Sequence, residues 1–241
     1  MLLKLTAVSK RFGAVVAADA VDLHVDKGEA LGIIGANGAG KSSLFNIITG
    51  VIRPDSGSVA FAGRDVTGAA VRQRCHAGIG RSFQIPRPFE SLTVFENLMV
   101  AAEFGRAGVH TDAVAVCGQV LEATGLAGKA NLLAGKLTLI DRKRLELARA
   151  LASQPEVLLL DEIAGGLTEA ECHELVGLIQ ALHASGITIV WIEHIVHALL
   201  SVVSRLVVLE FGKKIADGEP QAVMALPVVR RSYLGLDGET P

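Results

Sequence analysis

Eight consecutive residues carry the first chemical signal: Gly35, Ala36, Asn37, Gly38, Ala39, Gly40, Lys41 and Ser42. A glycine, four residues and then Gly-Lys-Ser is the spacing of a loop that cradles phosphates. Glycines let the backbone curl until several N–H groups point at one anion. A helix that starts at the loop adds about half a positive charge there. Lys41 is placed to reach the β- and γ-phosphates of a nucleotide, and the Ser42 hydroxyl to ligate Mg2+. A second signal is Val157-Leu-Leu-Leu-Asp161-Glu162, an apolar run ending in two carboxylates. Asp161 would hold Mg2+, and Glu162 would polarise the water that attacks the γ-phosphorus. Alone, such a pair is an ordinary solvated strand end; with the loop in the same chain it becomes a candidate half of a nucleotide site. Gln84 ends a predicted strand, where its amide could join the Mg2+ shell and sense the γ-phosphate. His194 follows another strand, either as a structural residue, as a donor to the γ-phosphate, or as a group that orients Glu162 and water.

These residues need elements to hold them. Residues 29–34 read as a short buried strand and 43–48 as an amphipathic helix, the context a phosphate loop requires. Residues 2–8 and 17–25 alternate as strands, with a turn at Asp26-Lys27-Gly28. A turn at 53–57 leads into a strand at 58–61, a helix over 69–77 and a strand over 79–84. Ile85-Pro-Arg-Pro88 then breaks regular structure. From Thr93 to Ala152 the pattern is helical, with loops near 105–111 and 126–136. Strands follow at 157–160, 187–192, 206–209 and 213–216. Helices are expected over 168–184, with Thr168 as N-cap and Glu171 three residues on, and from about His194. The strand–helix alternation predicts an α/β fold with a parallel sheet covered on both faces, and a helical insert as a subdomain.

Composition narrows the classes. The 241 residues suit one α/β domain, and a formal net charge of −2 offers no general basic field for nucleic acid. Half of the residues are hydrophobic and the mean hydropathy is +0.44, which suggests burial on several faces, by a large core or by partners. No uncharged apolar run reaches membrane-spanning length. Met1-Leu-Leu-Lys-Leu lacks a signal-peptide pattern, so a cytoplasmic location is expected. Cys75, Cys117 and Cys172 match no zinc or redox spacing and read as reduced packing residues. His24, His76, His110, His173, His183 and His197 show no ligand spacing with them.

The phosphate loop, Gln84, a helical insert ending in Arg142-Lys-Arg-Leu-Glu-Leu-Ala-Arg-Ala-Leu151, Asp161-Glu162 and His194 occur in that order. Order and spacing resemble the ATP-binding subunits of ABC transporters over essentially the whole chain. Lys10-Arg-Phe-Gly13, Phe83-Gln84, Thr93-Val-Phe-Glu-Asn-Leu98, Ile192-Glu-His194 and Tyr233-Leu-Gly235 further resemble the ATPases of branched-chain (hydrophobic) amino acid importers. The resemblance implies a P-loop NTPase fold with a mixed core sheet, a small N-terminal antiparallel β part and a helical signature subdomain at 93–152. The core would take 1–92 and 153–241, with a helical tail at 219–241. It implies binding of ATP and Mg2+, with residues 35–42 and Ser43 around the phosphates. Phe12 would stack on adenine, or else pack in the core. It also implies two ATPase domains arranged head to tail around two ATP molecules, transmembrane permease subunits and, indirectly, a solute-binding protein. The place of work would be the cytoplasmic face of the plasma (inner) membrane. The segment after Gln84, with Phe89 and Phe95, would meet a membrane subunit.

Two segments depart from the pattern. Where the family has Leu-Ser-Gly-Gly-Gln, this chain has Leu137, Thr138, Leu139, Ile140 and Asp141. Thr138 keeps a hydroxyl, but Leu139 and Ile140 replace both glycines, and branched side chains neither adopt positive φ cheaply nor let phosphate come close. The other reading of Thr138 and Asp141 is helix capping. The loop usually written Ser-Ala-Leu-Asp is Gly165-Gly-Leu-Thr168. An intact set of residues for the chain's own nucleotide beside an altered set for the partner's points to a heterodimer with unequal sites. Two further readings stay open, an ABC ATPase outside transport and a subunit that binds without hydrolysing; another P-loop enzyme such as a nucleotide kinase would not explain Gln84, the 137–151 helix and His194 together.

Overall fold

The computed structural model describes residues 1–106 and 112–234. His110, Gly235, most of the predicted 105–111 loop and the tail beyond 234 lie outside them. The chain divides into two compact units, Met1–Val71 with Val190–Pro241, and Arg72–Ile189.

The first unit starts with β1 (Leu3–Phe12) and β2 (Val15–Val25), an antiparallel pair in which Leu3 faces Val25 and Phe12 faces Val15. Leu3, Leu5 and Val8 on β1, and Val21, Leu23 and Val25 on β2, are buried. That near-alternation is what a sheet with one covered face demands. β3 (Ala30–Ile34) is buried at every position and leads into α1 (Lys41–Thr49). β4 (Ser56–Phe61) pairs antiparallel with β1, and β5 (Arg64–Asp65) with β4, which completes a small antiparallel sheet.

The second unit carries α2 (Val71–Ala77, beginning at the division), β6 (Ile79–Arg81), α3 (Val94–Glu103), α4 (Ala113–Ala123), α5 (Leu139–Ala152), β7 (Val157–Asp161) and α6 (Glu169–Ala184). β6 and β7 run parallel, with Ile79 opposite Val157 and Arg81 opposite Leu159. α3, α4 and α5 share a core of Val94, Leu98, Cys117, Leu121, Leu145 and Ala148. Capping boxes start α3 at Thr93–Glu96 and α6 at Thr168–Glu171. β8 (Thr188–Ile192) spans the division.

In the first unit the chain continues through α7 (Val196–Leu200), β9 (Arg205–Glu210), β10 (Lys213–Gly218), α8 (Pro220–Ala225) and α9 (Pro227–Leu234). β9 is parallel to β3 and antiparallel to β10, so the sheet is mixed.

Several expected boundaries move, two of them beside candidate site residues. The strand predicted over 79–84 stops at Arg81, although Ser82 N still donates to Leu159 O at 3.0 Å. The helix expected from about His194 starts at Val196, because the Glu193 carboxylate accepts from His194 N at 2.9 Å and holds the chain in a turn.

Candidate functional site

In the first unit β3 delivers the chain to Gly35 and α1 takes it away at Lys41. A Cβ on Gly35 would lie 2.3 Å from Leu209 O, and one on Gly40, at φ 104°, would lie 2.1 Å from Ala17 O. Neighbouring strands thus press so close to the loop that only glycine fits at its two ends. Ala39 N donates to Ala36 O at 3.1 Å, and Gly212 N donates to Ala39 O at 3.0 Å. The Lys41 side chain folds back over the loop: its Nζ donates to Gly35 O at 2.8 Å and Ala36 O at 3.1 Å. α1 has Gly40 as N-cap and no side-chain cap, so its first-turn N–H groups face the loop mouth. Ala36, Asn37, Gly38 and Ser42 are exposed there. A buried ammonium, uncapped N–H groups and a loop closed at both ends by glycine fit a phosphate group.

Phe12 ends β1 with its ring 47% exposed, which excludes core packing, and Lys10 Nζ lies 5.5 Å from the ring centroid. His194 is exposed two residues past β8.

In the second unit, β7 ends in Asp161, whose Oδ2 accepts from Arg81 Nη2 at 2.6 Å, with both side chains 8% exposed. Glu162 follows at φ 47°, and its Oε2 accepts from Gln84 Nε2 at 2.6 Å. Gln84 lies beyond the end of β6, on a bend whose carbonyl accepts from Lys143 Nζ at 3.1 Å. Gln84 and Glu162, singled out separately in the sequence, are therefore in direct contact. Oxygen groups on Ser42, Gln84 and Asp161 are of the hard kind that suits Mg2+.

Thr138 is the N-cap of α5, and its Oγ1 donates to Asp141 Oδ2 at 2.8 Å. Lys129 Nζ pairs with the same carboxylate. Burial pushes the Asp141 carboxyl up, but hydrogen bonds from Lys129 and Thr138 outweigh it and hold the group below its ordinary range. The capping reading of these two residues is therefore observed. Leu139 is 47% exposed and lies against Gly166, where an added Cβ would meet Leu139 Cδ2 at 3.5 Å.

Three features escaped the sequence reading: the Arg81 partner of Asp161, Gly212 beneath the loop, and the α5 contacts to Gln84. A signal existed for the first, since an arginine inside a buried strand needs a counter-charge.

Among families of known proteins, the ABC transporter model matches residues 18–165. LivG of Salmonella typhimurium (strain LT2), a high-affinity branched-chain amino acid transport ATP-binding protein, is 36% identical over 97% of this chain and 98% of its own. BraF of Pseudomonas aeruginosa, of the same description, is 32% identical over 97% and 98%. The ADP conformation of MJ1267, an ATP-binding cassette of an ABC transporter, superposes with a TM-score of 0.88 at 32% identity over 98% of this chain and 99% of that one. With its mixed sheet, small antiparallel sheet and phosphate loop, this chain belongs to the ABC transporter family as one of its ATP-binding proteins, an ABC ATPase.

Proposed function

We propose that the protein is the ATP-binding and ATP-hydrolysing subunit of an importer for branched-chain or other small amino acids. The observation that carries this reading is the phosphate loop, with Lys41 folded over the Gly35 and Ala36 carbonyls at the uncapped start of α1. Residues 35–42 and Ser43 bind the ATP phosphates, and Phe12 stacks on the adenine. Ser42, Gln84 and Asp161 would hold Mg2+, which would neutralise phosphate charge. Glu162 takes a proton from water as its oxygen bonds to the γ-phosphorus and the β–γ P–O bond breaks, leaving ADP and phosphate. His194 donates to the γ-phosphate and orients Glu162.

Thr138, Leu139, Ile140 and Asp141 face the nucleotide of a second ATPase subunit. That subunit is a different chain, because this segment lacks the glycines that let backbone approach phosphate. Permease subunits receive the resulting motion at the cytoplasmic face of the membrane, with cargo delivered by a solute-binding protein. Among the described residues no helix is long and apolar enough to cross a membrane. Residues 93–152 act as a helical subdomain on a core of 1–92 and 153–241.

The test compares Lys41→Ala in this subunit with the matching lysine change in its partner, in the assembled transporter. Lys41→Ala is expected to abolish most transport and the partner change to spare a measurable part. Equal losses would refute unequal sites, and full transport with Lys41→Ala would refute the catalytic reading.

A further inference from the structure

Gln84 is useful to a nucleotide only if its backbone is held, yet it lies on a bend beyond the end of β6, ahead of Pro86 and Pro88. Three side chains from one face of α5 grip that segment. Lys143 Nζ donates to Gln84 O at 3.1 Å. Glu146 accepts from the Arg87 backbone N–H at 3.4 Å and lies beside that of Phe83. Arg149 donates from Nη1 to Arg87 O at 2.9 Å and to Glu146 Oε2 at 3.3 Å, and its guanidinium lies 5.1 Å from the Phe89 ring centroid. The three residues are spaced by three, one turn apart on the helix.

Lys143 and Glu146 are only 4% and 6% exposed. Burying charges is expensive, and apolar residues of equal size would pack there at lower cost. They would, however, leave the N–H and C=O groups of the bend unpaired. On the other side, the Gln84 amide sits on Glu162 at 2.6 Å. The same helix begins at Thr138.

We propose that Lys143, Glu146 and Arg149 are positioning residues that set the Gln84 amide for the γ-phosphate, linking the Thr138 end of α5 to Gln84. The proposal rests on the reading of Gln84 as a nucleotide-sensing residue. It is tested on the full chain with Glu146→Ala, Glu146→Gln and Lys143→Met. Amide hydrogen exchange is read at Phe83 and Arg87, and affinities are measured for Mg-ADP and for a non-hydrolysable Mg-ATP analogue. Glu146→Ala is expected to speed exchange at Phe83 and Arg87 by about tenfold or more, with α1 amides unchanged. Affinity for the ATP analogue should fall about five- to tenfold while that for ADP stays within about twofold. Glu146→Gln keeps an acceptor oxygen and should restore most of both. Lys143→Met, which removes the donor to the Gln84 carbonyl, should lower analogue affinity alone.

Unchanged exchange at Phe83 and Arg87 in Glu146→Ala overturns the clamp. So does parental preference for the ATP analogue in both Glu146→Ala and Lys143→Met while Gln84→Ala loses it. If Gln84→Ala also keeps that preference, what falls is the reading of Gln84 itself.

Discussion

Replacing Arg81 by methionine isolates the buried charge on Asp161. In the native chain Arg81 Nη2 and Asp161 Oδ2 are 2.6 Å apart and each side chain is 8% exposed, so water screens the pair poorly. Methionine fills most of the arginine stem's volume, so the loss falls on the guanidinium's own contacts, the counter-charge to Asp161 and the 4.9 Å contact with the Phe83 ring among them. Breaking one side of a buried ion pair costs about 3–5 kcal/mol. For a chain of this length each kcal/mol moves the melting temperature by about 2–4 °C, so a fall of roughly 6–20 °C is expected. Neutralising the orphan in Arg81→Met/Asp161→Asn should recover more than about half of that fall, because the cost lies in the uncompensated charge. Thermal denaturation followed by circular dichroism, without nucleotide, measures all three proteins. A fall below about 2 °C for Arg81→Met, or a double variant less stable than the single one, would refute the reasoning.

Two glycines of the phosphate loop are distinguished by close approach. Gly40→Ala places a Cβ 2.1 Å from Ala17 O and should cost about 2–4 kcal/mol in urea unfolding. Gly38→Ala, with nothing within 4 Å, should cost only about 1 kcal/mol of backbone strain; equal costs would contradict the cradle. Asp141 gives a pH signature. Its carboxyl is held below the ordinary 3.8, so the unfolded chain takes up the proton first. Its contribution to stability is complete above that value and is lost as pH falls below it. Asp141→Asn should therefore cost about 1–2 kcal/mol near neutrality and flatten the acid side of the stability curve. An unchanged pH slope would contradict it.

The phosphate loop was legible because sterics and charge leave few residue types able to build it. Its flanking strand and helix followed from apolar runs of the right length. Thr168 and Glu171 were legible as a cap because capping is local. Contacts between distant stretches of chain were not. Asp161 finds Arg81, and Gln84 finds Glu162, only through the β6–β7 pairing and the bend after β6. The end of β6 at Arg81 and the grip of α5 on residues 83–87 depend on side chains far along the sequence. The late start of α7 depends on one carboxylate turning back on its own backbone. The capping contact of Thr138 with Asp141 is local and shows in their mutual hydrogen bond.

Single-turnover ATP hydrolysis by the assembled transporter bearing Glu162→Gln tests the central claim, that Glu162 activates the attacking water. The amide keeps the side chain's shape and an acceptor oxygen but cannot take the proton. The rate should fall about 10²–10⁴-fold with Mg-ATP affinity nearly unchanged; an unchanged rate would contradict the account.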